Sequence, residues 1–162
     1  MDYTPLGEVV DVGGGVACYA TGSSAGAFHT AIIAVPDVWG FNGGRVRAIA
    51  DEIARALDAT VLVPMLLQPA LEGGTDGDGL PPDFDIGERG DEFVPWIRGI
   101  SWSEGEHAVA PKIQAVLDYA MQHGAVKIAM VGFCWGGWVV CKTSAMTSAV
   151  LCGVIAHPSA HI

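Results

Sequence analysis

Stretches of continuous apolar residues alternate along the chain with segments of helical periodicity. Four continuous stretches have the pattern of strands that are buried on both faces: 31–35, 59–67, 126–131 and 150–156. Helices are predicted between them at 46–57, 109–121 and 136–146. In the first helix, Asp51 is among the polar residues opposite the apolar stripe. Residues 8–22 alternate apolar and polar positions around consecutive glycines, which predicts a hairpin. This order of elements predicts an α/β fold, with a mostly parallel sheet and helices on both faces.

Segment 68–99 interrupts this alternation of predicted strands and helices. It is rich in glycine, proline and aspartate and shows no sustained period, so we predict a long loop. A loop of this length is either a functional lid or mobile segment, or a plain surface excursion. The sequence contains neither an internal repeat nor a recognisable linker, and we therefore expect residues 1–162 to form a single domain.

Charge and composition exclude several classes of partner. The formal net charge of −10 disfavours binding to nucleic acid, because long-range forces repel a polyanion. No apolar stretch reaches the roughly 20 residues that a membrane-spanning helix needs. The first residues lack the basic start and apolar run of a secretory signal, so we expect a cytoplasmic protein. Its four cysteines are then expected to be reduced thiols.

One cysteine stands in a motif with chemical meaning. Gly132-Phe133-Cys134-Trp135-Gly136 lies between a predicted strand and a predicted helix, and its glycines stand two positions on either side of a nucleophilic residue. At such an elbow the glycines let strand and helix approach closely, and the N–H groups of the helix point at the nucleophile. These groups favour a thiolate and the oxyanion of an acyl intermediate. Cys134 is therefore a candidate nucleophile, the alternative being a small buried packing residue.

The motif also carries a resemblance. VGFCWGG, together with the upstream AIIAVPDVWGFNGGRVRAIADEIARAL and VLVP, resembles the dienelactone hydrolase (carboxymethylenebutenolidase) family over most of the chain. The resemblance implies an α/β-hydrolase fold and hydrolysis of the ester of a cyclic enol-lactone or a similar small carbonyl substrate. It implies no metal and no organic cofactor. The implied triad is a Cys, an Asp and a His, in that order along the chain.

The family's functional residues carry over by position. Cys134 matches the nucleophile, and Asp37 matches the acidic residue that lies beside the thiol and influences its protonation. The backbone N–H groups of Val38 and Trp135 match the oxyanion hole. Trp39 flanks this hole and is expected to contact the substrate. His157 follows the last predicted strand, at the carboxyl edge where ligands bind in such folds, so we expect it to contact the substrate rather than to act as the base.

The sequence departs from the family pattern in two places. Met65 stands where the family usually has an acidic residue after the strand proline. The family's acid and base follow later strands than the one at 150–156, so we expect a domain whose C-terminal strands are missing. Its last strand is then an unpaired sheet edge, through which self-association is possible.

A zinc site is a weaker interpretation of the same region. Cys141, Cys152, His157 and His161 have side chains that can bind zinc. Both cysteines, however, occupy apolar segments where packing in the core is the simpler expectation. We therefore predict no metal site.

Functions of different classes stay open at this point. The first is an acyl-transfer hydrolase in which Cys134 attacks a carbonyl and a His, oriented by an Asp, moves the proton. The second is a catalytically incomplete fragment or a non-catalytic binding protein. The third, a thiol redox sensor, is disfavoured because no Cys-x-x-Cys motif supplies a resolving cysteine. We predict the hydrolase, with a small ester or lactone substrate, no cofactor, and no nucleic-acid or membrane partner.

Overall fold

The computed structural model describes residues 3–22 and 28–159. The strands in these residues are β1 (Glu8–Asp11), β2 (Ala17–Thr21), β3 (Thr30–Val35), β4 (Thr60–Pro64), β5 (Lys127–Phe133) and β6 (Val150–Ala156). The α-helices are α1 (Val46–Leu57), α2 (Gly90–Gly99), α3 (Val109–Gln122) and α4 (Trp135–Met146).

The strands form one sheet in the order β1-β2-β4-β3-β5-β6. β1 and β2 are an antiparallel hairpin, β2 is antiparallel to β4, and β4, β3, β5 and β6 run parallel. This topology confirms the predicted α/β fold with a mostly parallel sheet. After β3 the chain adds β4 on one side and later β5 on the other. The strand order therefore reverses at β3, and in folds of this kind ligands bind at the carboxyl ends of the strands on either side of such a reversal.

Helices cover both faces of the sheet, as predicted. On one face, α1 packs its apolar stripe (Val46, Ala50 and Ala54) against alternate residues of β3 and β4. On the other face, α3 and α4 contribute Val109, Ile113, Val116, Leu117, Ala120, Val139 and Val140 to a larger core. The central strands are therefore buried on both sides, which explains their continuous apolar sequences.

One polar residue of α1 is not where the helical period places it. Asp51 is buried, and its carboxylate accepts hydrogen bonds from the Tyr19 hydroxyl at 2.7 Å, the Leu6 N–H at 3.2 Å and the Tyr3 hydroxyl. A residue opposite the apolar stripe of a helix is expected to be exposed, but the N-terminal segment packs over Asp51 and buries it. Periodicity within a helix carries no information about such a covering segment.

The prediction of a loop over 68–99 was wrong for its last third. Residues 90–99 form α2, and a short 3-10 turn occupies Thr75–Gly77. Helix α2 contains Pro95 and begins and ends with glycine, which hid its period. Its end signals are nevertheless present, since Asp91 and Glu92 lie in the first turn and Arg98 in the last, where they complement the helix dipole.

Strand β6 is an edge of the sheet in the described part of the chain. Its side chains are largely uncovered, with Leu151 65% and Val154 59% exposed. An unpaired apolar edge of this kind can pair with another chain, so self-association through β6 stays a prediction. Separately, none of the described helices is both long and apolar enough to cross a membrane.

Candidate active site

Cys134 occupies a strained turn between β5 and α4. Its backbone angles are φ 52° and ψ −113°, a conformation that residues other than glycine rarely adopt. Three backbone hydrogen bonds fix it: the Cys134 N–H donates to the Ala156 carbonyl at 3.0 Å, and its carbonyl accepts from Gly137 at 3.1 Å and Ser159 at 3.2 Å. The end of β6 and the loop after it therefore support the elbow directly.

The two glycines of the motif are required by close backbone approaches. A Cβ atom on Gly132 would lie 2.7 Å from the Gly137 nitrogen, and one on Gly136 would lie 2.7 Å from the Pro36 carbonyl oxygen. Real Cβ atoms essentially never come this close to backbone. Gly132 thus lets β5 meet α4, and Gly136 lets α4 meet the end of β3, which brings the elbow against the turn that follows β3.

The strand register places Asp37, Cys134 and His157 at one level of the sheet edge. Val35 pairs with Gly132 across β3 and β5, and Phe133 pairs with Ala156 across β5 and β6. Asp37, Cys134 and His157 follow these pairs at the carboxyl ends of three adjacent strands. The structure therefore brings together the three side chains to which the sequence assigned roles at this edge, while the roles themselves stay predictions.

Electrostatic effects link the same three groups. Burial raises the pKa of the Cys134 thiol, a hydrogen bond from the Trp135 N–H lowers it, and the charge of Asp37 raises it. Burial also raises the pKa of Asp37. Two smaller effects lower that pKa: the Trp39 N–H, which donates to Oδ1 at 3.0 Å, and the charge of His157. The thiol is thus held protonated more strongly than a free cysteine, so a smaller fraction of Cys134 is thiolate at neutral pH.

Two backbone N–H groups near the elbow are candidate oxyanion donors. The Trp135 N–H begins α4 and is directed at the Cys134 sulfur. The Val38 N–H has no hydrogen-bond acceptor within residues 3–22 and 28–159. The Trp135 indole is buried and packs against Trp138 at 5.6 Å between ring centroids, so this residue offers its backbone only. Trp39 is half-buried in the turn after β3 and packs partly against the core, and its contact with a substrate stays a prediction.

The prediction that Cys141 and Cys152 pack in the core was wrong. Both are exposed, because nothing in the described chain covers the outer side of α4 or the edge strand β6. His161 lies outside the described residues. Within residues 3–22 and 28–159, no three histidine, cysteine, aspartate or glutamate side chains are grouped to hold a metal ion.

Sequence reasoning missed a buried charged pair below the turn after β3. Asp78 is fully buried in the segment between β4 and α2, and Lys112 of α3 is also buried. Asp78 stands between two glycines, which made it look like part of a solvated loop. Lys112 offered a usable signal, since it follows Val109 by three positions and so lies on the apolar stripe of α3.

Replacing Asp37 by asparagine tests the link between the carboxylate and the thiol. The amide keeps a side-chain oxygen that can accept the Trp39 N–H but lacks the charge that raises the pKa of Cys134. The alkylation profile of Cys134 is therefore expected to move to lower pH, with a rate at neutral pH that is roughly three- to ten-fold higher. The rate is measured with limiting iodoacetamide and peptide mapping. Asp83→Asn, at an exposed carboxylate that does not shift this thiol, is the control, and equal profiles for both variants would separate Asp37 from Cys134.

The fold and the strained turn between a buried strand and a helix are those of the α/β-hydrolase fold. A model of the dienelactone hydrolase family matches residues 16–162, and the chain belongs to that family. It is 33% identical over 144 residues to a carboxymethylenebutenolidase homolog of Mus musculus, and 32% identical to that of Rattus norvegicus. Both alignments cover 86% of this chain and 50% of the relative, so the chain spans about half the length of the curated relatives it matches.

Solved structures agree on the fold. An esterase from the bacterial hormone-sensitive lipase family superposes with a TM-score of 0.58 at 17% identity, covering 98% of this chain and 45% of that one. At this level of identity the similarity concerns the fold and not the reaction.

Proposed function

We propose that residues 1–162 form one domain that carries the nucleophile and the oxyanion hole of a carboxylic-ester hydrolase. The observation that carries the proposal is the backbone of Cys134, held at φ 52° between β5 and α4 beside Asp37. Strain of this kind is stored where a side chain must be presented, and a packing cysteine has no need of it. The family includes carboxymethylenebutenolidase homologs, which supports a small ester or lactone as substrate. A cytoplasmic location stays a prediction.

The chemistry is acyl transfer to sulfur. The Cys134 thiolate attacks the carbonyl carbon, a C–S bond forms, and the carbonyl electron pair moves to oxygen, where the Val38 and Trp135 N–H groups stabilise it. When the carbonyl re-forms, the bond to the alkoxide breaks, and the alkoxide takes the proton that the thiol gave up. Water then hydrolyses the thioester, releasing the acid and restoring the thiol. A His oriented by an Asp would carry the proton in each direction.

A second candidate, a chain that forms the acyl adduct but does not turn over, is supported by a specific observation. None of the histidines in the described ranges forms an ion pair with a carboxylate, as the base of a triad does. The proton shuttle implied by the family resemblance therefore has no match among the described residues.

Acylation of Cys134 by p-nitrophenyl acetate tests the proposal. Native protein is expected to release a burst of p-nitrophenolate equivalent to one acetyl group per chain, located on Cys134 by peptide mass spectrometry. Cys134→Ala should lose the burst. Because Cys141 and Cys152 are exposed thiols, the measurement is made in a variant with both changed to serine, which should keep it. Acetylation of Cys134 at the same rate in native and in urea-unfolded protein would contradict the proposal.

A further inference from the structure

Asp78 is a carboxylate buried against the turn that holds the candidate oxyanion donor. Its Oδ2 accepts the Phe41 N–H at 2.8 Å, and its Oδ1 accepts the Leu67 N–H at 2.7 Å. Phe41 ends the turn after β3, and Leu67 lies in the loop after β4. One carboxylate therefore ties together the two loops at the carboxyl edge of neighbouring strands. We call residues 37–41 the oxyanion turn.

The residues beside Asp78 bind the same two loops through their backbone. The Leu80 N–H donates to the Val38 carbonyl at 2.9 Å, and the Gly79 N–H donates to the Leu67 carbonyl at 3.1 Å. Residues 78–80 thus run as a strap beneath the oxyanion turn. The strap fixes both the peptide that follows Val38 and the end of the turn.

Two glycines make this contact possible. Gly40 has φ +82°, and a Cβ there would lie 3.0 Å from the Asp78 carboxyl carbon and still closer to its Oδ2. Gly79 has φ +69°, and a Cβ there would lie 2.7 Å from the Val38 carbonyl oxygen. Both positions need the left-handed backbone that glycine adopts without cost. The turn and the strap are therefore fitted to each other on both sides.

A buried lysine compensates the charge of the carboxylate. Lys112 is 6% exposed, its Nζ donates to the Leu66 carbonyl at 3.4 Å, and its charge lowers the pKa of Asp78. Burial is the larger effect and raises that pKa to about 6, so the carboxylate is ionised at neutral pH. An isolated buried carboxylate is strongly destabilising. A neutral packing residue would avoid this cost, which suggests that the two short N–H contacts are the reason for an acid here.

We propose that Asp78 is a positioning residue that holds the Val38 N–H at the oxyanion hole. It touches neither the thiol nor the substrate, and it acts by fixing the oxyanion turn from below. The inference rests on the proposed acyl transfer at Cys134, since only a reaction that develops an oxyanion makes use of this donor.

Two reactions at the same thiol separate this role from a general structural one. Acylation by p-nitrophenyl acetate needs both the thiolate and the oxyanion donors, whereas alkylation by iodoacetamide needs the thiolate but forms no oxyanion. Asp78→Asn is nearly isosteric but turns an N–H group toward one of the two backbone donors. We expect its acylation rate to fall roughly ten- to hundred-fold, as for a displaced oxyanion donor, while its alkylation rate stays within about two-fold of wild type.

The outcomes are distinguishable. Loss of acylation with unchanged alkylation supports the inference, and Asp83→Asn, at an exposed carboxylate of the same segment, should change neither rate. Equal acylation in wild type and Asp78→Asn overturns the inference, and so does an equal fall of both rates. Absence of a burst in the wild type is the failure of the proposed function instead. If Asp78→Asn does not fold, Gly40→Ala, which pushes a methyl group against the carboxylate, must show the same selective loss.

Discussion

Replacing Gly136 by alanine is expected to lower the free energy of unfolding by at least about 3 kcal/mol, at the upper end of what overpacking costs. The added Cβ meets the Pro36 carbonyl oxygen at 2.7 Å and the Val35 carbonyl oxygen at a shorter distance still. Neither atom can yield as a flexible side chain would, because both belong to the backbone at the end of β3. The melting temperature should fall by roughly 10 °C in a chain of this size.

Gly90→Ala is the matched control for this variant. A Cβ at Gly90 meets nothing within 4 Å, and its backbone is outside the left-handed region, so little change in stability is expected. Thermal unfolding followed by circular dichroism measures both variants. Since Pro36 precedes Asp37, any Gly136→Ala protein that folds should also have lost most of its acylation burst. A variant as stable as Gly90→Ala would show that α4 does not approach β3 as the structure has it.

The fold was predictable where a local pattern decides the structure. The helix predicted at 46–57 has those bounds in the structure, and β6 has the bounds predicted at 150–156. Continuous apolar strands and a striped helix each record their own burial in the sequence, and the order of such elements restricts the topology to few choices. The elbow was predictable for the same reason, since its glycines, its nucleophile and its flanking elements are contiguous in the chain.

The errors arose where a distant segment decides the burial of a residue. Asp51 is covered by the N-terminal segment, and Asp78 by the oxyanion turn, and neither contact leaves a mark in the neighbouring residues. Cys141 and Cys152 show the opposite case, because apolar neighbours predicted a burial that nothing in the described chain provides. The contact between turn and strap could be suspected only from indirect signals, namely the glycines at 40 and 79 and the position of Lys112 on the apolar stripe of α3.

The second large effect concerns turnover, which depends on whether a histidine of this chain acts as the catalytic base. Acyl-enzymes without a working proton shuttle retain about 10³–10⁴-fold acceleration over water, several orders of magnitude below an intact triad. We expect the 162-residue chain to show its acylation burst on p-nitrophenyl acetate and then a steady rate at that low level. The reason is that His157 is exposed and makes no hydrogen bond to Asp37, although its charge acts on it. An unoriented imidazole in solvent is a poor general base.

His157→Asn tests whether His157 acts as the base. Asparagine is chosen because it tolerates the backbone conformation at this position. His157 has φ 38°, in the left-handed region, which asparagine tolerates better than alanine, so a loss of activity cannot be ascribed to strain. If His157 only contacts the substrate, the steady rate should fall by no more than about ten-fold, the value of one contact worth about 1.4 kcal/mol. His107→Asn, at an exposed loop position, is the control and should leave the rate unchanged. Rapid sustained turnover by the wild type that His157→Asn abolishes would instead make His157 the base and this chain a complete enzyme, with Asp37 as the partner that orients the imidazole.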